Sequence, residues 1–299
     1  MRPPVISFIT FNRMGLTVRN LKALLRTRDD FELHIVDSNS RDDTWNYINQ
    51  VSDRRIKSKT RLTVNYGPIY AVNLVLSRRK PDQYFISLDS DVHIYTGDWI
   101  SRFMRVFDTF PEAGLLGVPR AKPYPAYLPP VVPAERNGVS YLQLKNGDAG
   151  VAGDFVPGHC QCLRPELLNI IGYWSEECHF GDAEISTRVN KYTPYKAGFV
   201  TDIQIDMLQE LPCSQCEGRM LCRIRKTDTT CFAIRNKRYG NTNFAHNFRK
   251  KYHKFFGELE NGSRPVYCAS MHDPESVKRY GYDSRSANEN FNFYVTHGN

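Results

Sequence analysis

No apolar run in the 299-residue sequence approaches the roughly 20 residues that a membrane-crossing helix needs. The longest, such as VISFIT at 5–10, is a third of that length, and it lacks the apolar core and small-residue cleavage site of a signal peptide. A chain without transmembrane segments is therefore expected, in the cytoplasm of a bacterium or of a phage-infected host cell. No stretch repeats internally and none is of low complexity, which excludes a repeat array. G-x-G-x-x-G is missing after the first predicted strand, and G-x-x-x-x-G-K-[ST] is missing throughout, so dinucleotide binding and P-loop chemistry lose their usual signatures.

What is present is unevenly distributed. The formal net charge is +8. Between Arg219 and Lys254 eleven Lys and Arg face one acid, Asp228, which gives +10 there and leaves about −2 for everything else (8 − 10). Basicity so concentrated implies an anionic partner. The eight cysteines, without an export signal, are expected to stay reduced and to serve packing, metal binding or reactivity.

Strand and helix patterns alternate along the first two thirds. Strands are predicted at 5–10, 31–37, 61–66, 83–89 and 115–119, with helices at 15–27, 42–51, 69–79 and 98–110 between them. Such alternation builds right-handed βαβ units and a largely parallel sheet. The stretch 121–135 carries five prolines and is expected to be a loop over the sheet. A strand at 140–144, helices at 165–172 and 182–192, and an extended stretch at 197–205 close the pattern. The fold class is α/β, and the boundary falls after residue 205: a catalytic domain at 1–205 and a cysteine-rich, basic, aromatic region at 206–299.

Open α/β sheets bind ligands at the carboxyl ends of their strands. Asp37, the pair Asp89 and Asp91, and Asp182 all fall there. Two carboxylates two residues apart suit Mn2+ or Mg2+, because hard oxygen ligands hold such ions while leaving positions for substrate phosphates. Capping of the next turn is the plainer use of the same residues.

Taken in order, the motifs resemble the family 2 glycosyltransferases of the GT-A fold, over residues 4 to 205. Ile9-Thr10-Phe11-Asn12-Arg13 is similar to the family's opening strand, and Val36-Asp37-Ser38 through Thr44 to its nucleotide-binding V-D-D-x-S-x-D-x-T. Asn65-Tyr66-Gly67 through Asn73 resembles N-x-G…A-x-N, and Asp89-Ser90-Asp91 occupies the D-x-D position. Gly158 through Arg164 with Ile171-Gly172-Tyr173 resembles the acceptor-side motif, and Phe180 through Arg188 the G-E-D-x-E-L-x-x-R helix. The resemblance implies an inverting transfer of sugar from a nucleotide-sugar, by default a UDP-sugar, to a hydroxyl. It implies Asp182 as general base, and Thr10, Asn12, Arg13, Asp37, Asn65, Gly67, Asp89 and Ser90 around the donor. Asp89 and Asp91 would hold the metal, joined by a C-terminal histidine, His272 before His246, His253 or His297. Gly158, His159 and Trp174 would line the acceptor side, and Glu184 would orient the acceptor or the helix start. Two departures stand out: Asp182 follows Gly181 instead of a second acid, and Ser38 replaces the second Asp of V-D-D. No Q-x-x-R-W follows Asp182, which argues against a processive membrane synthase.

Beyond residue 206, Cys213, Cys216, Cys222 and Cys231 are spaced C-x2-C-x5-C-x8-C. Four thiolates this close suit structural Zn2+, with an iron–sulfur cluster or free buried thiols as the alternatives. Cys160, Cys162, Cys178 and Cys268 are scattered and read as core. Arg249, Lys250 and Lys251 then interleave with aromatics from Tyr239 to Phe256, a pattern that suits phosphates beside stacked bases or an amphipathic helix packed on the catalytic domain. Three functions follow: transfer to a nucleic acid, such as a hydroxylated base in phage DNA flipped into the site; the same chemistry on a bacterial glycan, lipid-linked sugar or protein; or a non-catalytic binding module. No required protein partner is evident.

Overall fold

The computed structural model describes residues 2–119, 128–148, 154–207, 211–222, 229–231, 233, 234, 237 and 244–297. Its spine is a nine-stranded sheet. Strands β1 (Val5–Thr10), β2 (Glu32–Asp37), β3 (Ile56–Arg61) and β4 (Phe85–Asp89) alternate with helices α1 (Met14–Leu25), α2 (Thr44–Gln50) and α3 (Pro68–Leu76). These four strands run parallel in the order β3-β2-β1-β4. After the short β5 (Val92–Ile94) and α4 (Trp99–Thr109) come β6 (Ala113–Gly117), β7 (Val131–Arg136), β8 (Val139–Leu144) and β9 (Cys160–Leu163). Then follow α5 (Pro165–Ile171), α6 (Gly181–Tyr192), β10 (Lys196–Phe199) and β11 (Ile205–Met207). The sheet continues from β4 as β9-β6-β10-β8-β7, with β9 antiparallel to both β4 and β6. Strands β11 and β5 pair separately. Helices α7 (Phe244–Glu260), α8 (Pro274–Tyr280) and α9 (Ser284–His297) close the chain.

The parallel strands are apolar almost throughout because helices cover both faces. Ile6, Phe8 and Ile35 meet Leu21 and Leu24 of α1 and Phe103 of α4 on one side. On the other, Val5, Val36 and Phe85 meet Val72 and Val75 of α3 and Ile185 of α6. Two predicted elements need correction. The third strand is Ile56–Arg61, not 61–66; Leu62 is buried, but as a residue of the following loop. The proline-rich stretch 121–135 is not all loop, since Val131–Arg136 forms the outermost strand. Pro133 is tolerated there because an edge strand has one row of hydrogen bonds to make. Residues 121–127 lie outside the described set.

The C-terminal helices pack onto the α6 side. Tyr252, Phe255, Phe256 and Leu259 of α7 form a third apolar cluster with Cys178 and Cys268. Cys268 bonds back to both Ile171 and Tyr173 through its backbone, at 2.9 and 3.0 Å. The buried carboxylate of Glu176 accepts from Asn73, Ser270, Tyr282 and the Met271 N–H, which ties α3 to the C-terminal segment.

Candidate active site

Register brings the predicted carboxylates to one edge of the sheet. Thr10 lies opposite Asp37, and Ile9 opposite Asp89, so β1, β2 and β4 end side by side. Asp37 is fully buried. It accepts from Thr10 Oγ1 at 3.1 Å, from the Ser40 N–H at 3.0 Å and from the Ser40 hydroxyl, while Arg61 Nε lies 3.6 Å away. Burial raises its pKa against the pull of these donors. A carboxylate offers about four acceptor positions, and three are taken. Asp37 therefore organises the turn after β2. Asn12, in the left-handed region at φ 46°, completes that turn: its N–H donates to Ser40 Oγ and its Oδ1 accepts from Arg41.

The D-x-D turn is built differently. Asp91 is 2% exposed, its Oδ2 lies 2.7 Å from Arg13 Nη1, and its Oδ1 is buried with no partner. Burial works against the Arg13 cation, but the charges of Asp91 and Cys231 outweigh it and its pKa is raised. Ser90 is buried and contributes its carbonyl, which accepts from Asn20 Nδ2 at 2.8 Å. Asp89 is half-buried, and its N–H donates to the His159 carbonyl at 2.9 Å. The next residue back, Gly158, donates its N–H to Asp182 Oδ2 at 2.9 Å. A Cβ on Gly158 would stand 3.4 Å from the Asp182 Cβ. Through β9 and the loop before it, the D-x-D strand and the first turn of α6 are thus joined across two adjacent peptides. Asp182 stands on that turn behind Gly181, whose φ of +60° a side chain would resist.

The orphaned Asp91 Oδ1 is the feature that fits a cation. Two carboxylates plus substrate phosphates are a common share of an Mg2+ or Mn2+ shell, and the guanidinium of Arg13 balances the Asp91 charge. Among the described residues no group of three or more His, Cys, Asp or Glu side chains is arranged by itself to hold a metal ion.

The other expected residues divide. Asn65 Oδ1 accepts from the Gly67 N–H at 2.9 Å, a turn that starts α3 with Gly67 at φ 89°. His159 and Trp174 are buried: His159 Nε2 bonds the Val118 carbonyl, and Trp174 packs on Phe85 while its backbone clasps Asn73. Both side chains are turned into the protein interior. His272 does not join the D-x-D turn. Its ring stacks edge-on to Tyr70 and lines a cavity with Ser77, Arg79 and Pro81, residues that precede β4, whereas Asp89 ends it. His253 is exposed, His297 bonds the Phe293 carbonyl, and the His246 side chain lies outside the described set. Glu184 does not reach out to an acceptor; it is wholly buried against Arg188 at 2.6 Å. On α7, Arg249 and Lys250 are exposed, while Lys251 is tied to Asn290 and Glu289. Tyr252, Phe255 and Phe256 point inward and offer no stacking platform. Sequence reasoning missed Arg61, which leans on Trp45 and Asp37, and Glu176, whose four donors come from distant segments.

With that geometry in hand, comparison identifies the architecture. The family model described as glycosyl transferase family 2 matches residues 6–169, more than half of the chain. A fragment of S. aureus TarS, residues 1–349, in complex with UDP is similar at 18% identity over 67% of this chain and 58% of that one, with a TM-score of 0.51. The mannosyltransferase PcManGT from Pyrobaculum calidifontis, in complex with GDP-Man and Mn2+, shares 18% over 68% and 56%, at 0.50. GalNAc-T7 with UDP, GalNAc and Mn2+ shares 12% over 69% and 43%, at 0.50. At such identities these structures establish the GT-A fold, and the chain spans about half of their length.

Proposed function

The chain belongs to glycosyl transferase family 2, and on that premise we propose that it moves a sugar from a nucleoside diphosphate sugar to an acceptor hydroxyl with inversion. The observation that carries this reading is the join of Asp89 to Asp182 through His159 and Gly158. It sets a leaving-group end and a base end on one rigid floor.

In the reaction, the acceptor O–H bond breaks and its proton passes to Asp182. The acceptor oxygen forms its bond to the anomeric carbon from the face opposite the diphosphate. The anomeric carbon–oxygen bond to phosphate breaks, and the nucleoside diphosphate leaves. The Gly158 and Ala183 N–H groups donate to Oδ2 and Oδ1 of Asp182 and orient its carboxylate for the acceptor. Asp89 and Asp91 are the residues that would hold Mn2+ or Mg2+, which when bound supplies Lewis-acid neutralisation of the departing diphosphate. Arg13, paired with Asp91, is a cation placed beside that end of the site and would help to balance the diphosphate charge. Asp37 fixes the Ser40 turn that walls the base and ribose. UDP-sugar is the donor proposed; UDP is held by two of the similar structures and GDP-Man by the third.

For the acceptor, charge is the guide. Exposed Arg249 and Lys250 favour an anionic one. Tyr252, Phe255 and Phe256 face inward, while the side chains of Phe244 and Phe248 lie outside the described set; the exposed charge serves a hydroxylated base in DNA and an anionic glycan, lipid-linked sugar or protein alike. The experiment is transfer of label from a panel of UDP-sugars with Mn2+ into acceptor mixtures, then division of the product by nuclease, protease and lipid extraction. Asp182→Asn is expected to lower kcat by about 10^2- to 10^4-fold, the usual worth of a general base, with unfolding unchanged. An unaltered rate would sink the assignment of Asp182.

A further inference from the structure

The cysteine-rich segment lies against the start of α1 rather than apart from it. Cys213, Cys216, Cys222 and Cys231 all line one cavity with Arg13 and Arg219. None of the four is in a disulfide. Backbone pairing creates the convergence: Pro212 and Thr230 form an antiparallel bridge, and the Cys213 N–H donates to the Thr229 carbonyl at 2.8 Å, which brings Cys231 beside Cys213. The first pair sits on a tight turn in which the Cys216 N–H reaches back to the Cys213 carbonyl at 3.3 Å. Burial raises the Cys216 pKa against the pull of the Gly218 N–H.

What points to a ligand is the cavity itself, onto which four cysteines from separate turns of the chain open together. Gly218 is required on steric grounds, because a Cβ there would stand 2.9 Å from the Gly15 carbonyl carbon. The turn therefore rests directly on the first residues of α1, two positions beyond Arg13.

We infer that Cys213, Cys216, Cys222 and Cys231 form a structural tetrathiolate site for a soft divalent cation, Zn2+ in a reducing compartment. The four free thiols line one cavity without yet standing at ligand distance from a single point, and binding would draw them together around the ion. Four thiolates around Zn2+ carry a net charge of about −2; Arg219 on the cavity wall offsets part of it, with Arg13 shared between this cavity and Asp91. The site stands apart from the D-x-D turn in ligand chemistry, sulfur against oxygen, so the two metals do not compete.

The test uses the full chain purified under reducing conditions and washed with a weak chelator. About one zinc per chain is expected. After exchange with Co2+, the sulfur-to-cobalt charge-transfer band and the strong visible bands of a tetrahedral thiolate site should appear. Thiol titration of the folded wild-type chain needs no variant: zinc should shield the four cavity thiols and a strong chelator should release them, while the four buried in the core stay unreactive. Cys216→Ser should abolish the cobalt bands, and Cys162→Ser, buried in the sheet, should keep them. Any of three results would overturn the proposal: cavity thiols that react equally with and without zinc, iron with acid-labile sulfide instead of zinc, or a disulfide among the four in the reduced preparation.

Discussion

Two arginine–carboxylate pairs lie buried some ninety residues apart in sequence, and they are built for opposite purposes. In the first turns of α6, Arg188 and Glu184 are both wholly buried and 2.6 Å apart. Arg188 spends its remaining donors on the carbonyls of Ile171, Tyr173 and Val266, while Glu184 also accepts from the Ser175 N–H at 3.2 Å. At the D-x-D turn, Arg13 keeps a quarter of its side chain in contact with solvent, and Asp91 leaves one oxygen unmatched. The first pair sets a guanidinium nitrogen beside each oxygen of Glu184 and is a staple that fastens α6 to the strand-like return of the chain at Cys268. The second leaves one Asp91 oxygen without such a neighbour and is an exchangeable one. A buried charge with an open valence is costly to keep, and it persists where a ligand completes it.

Removing one partner of the staple should have the largest effect. Arg188→Met would leave Glu184 buried and uncompensated, and three carbonyls without their donor. A loss of about 3–5 kcal/mol is expected, a large part of the 5–15 kcal/mol that typically holds a domain folded. Denaturant midpoints with an unchanged slope would measure it. The double variant Glu184→Leu with Arg188→Met should recover part of the loss, since a buried pair replaced whole is far less damaging than one broken. If Arg188→Met keeps the wild-type midpoint, the distinction between the two pairs collapses.

Asp91→Asn should divide stability from activity in the opposite sense. Arg13 is exposed enough to find water, so the midpoint should hardly move. Mn2+-dependent transfer should fall by about 10^2- to 10^3-fold, because several kcal/mol of charge neutralisation is lost at the leaving group. Calorimetric titration with Mn2+ and UDP would check the same point without turnover. A variant that binds both as tightly as the wild type would show that Asp91 is no ligand.

How much of this contrast was legible beforehand depends on which interactions are local. Strands β1, β2 and β4 and helices α1, α3, α4 and α6 could be read because each carries its own apolar period, and the carboxylates at the strand ends follow from that reading. Strand β9 could not. Its four residues, CQCL, make too short an apolar run to stand out from the turns around it, and its place between β4 and β6 is a tertiary choice. Strand β3 was displaced onto more apolar neighbours because, next to β2 alone, its IKSKTR is half-exposed and polar. Trp174 and His159 sat in the right motif, but only packing decides that their side chains face the core. Glu176 had no signal at all: its donors come from α3 and from residues 270–282, a hundred positions away. The four cysteines lie at the other extreme, since their spacing alone suggested a shared purpose.

Mild acid offers the smallest and most graded way to sharpen the comparison, because it loads buried histidines of the scaffold. Burial, aided by Arg78, pulls the His34 pKa down from 6.5 to about 4, and burial with Lys251 nearby pulls His179 to about 3. Between the usual histidine value and these depressed ones, the unfolded chain binds protons that the folded chain refuses. Stability is therefore greatest above about pH 6.5 and falls as pH drops toward 4. Asp37 and Glu184 act against that trend, since burial raises their pKa and the folded chain takes up their protons first. His34 lies on β2 and bonds Ser58 at 2.7 Å, far from the D-x-D turn, so its titration reports on the sheet alone. His34→Gln keeps a hydrogen-bonding side chain without the titration, and it should flatten the slope of denaturant midpoint against pH between about 6.5 and 5. Equal slopes for variant and wild type would move the acid sensitivity to His179 and the α6 region, beside the staple, and would make that region the first part of the fold to yield.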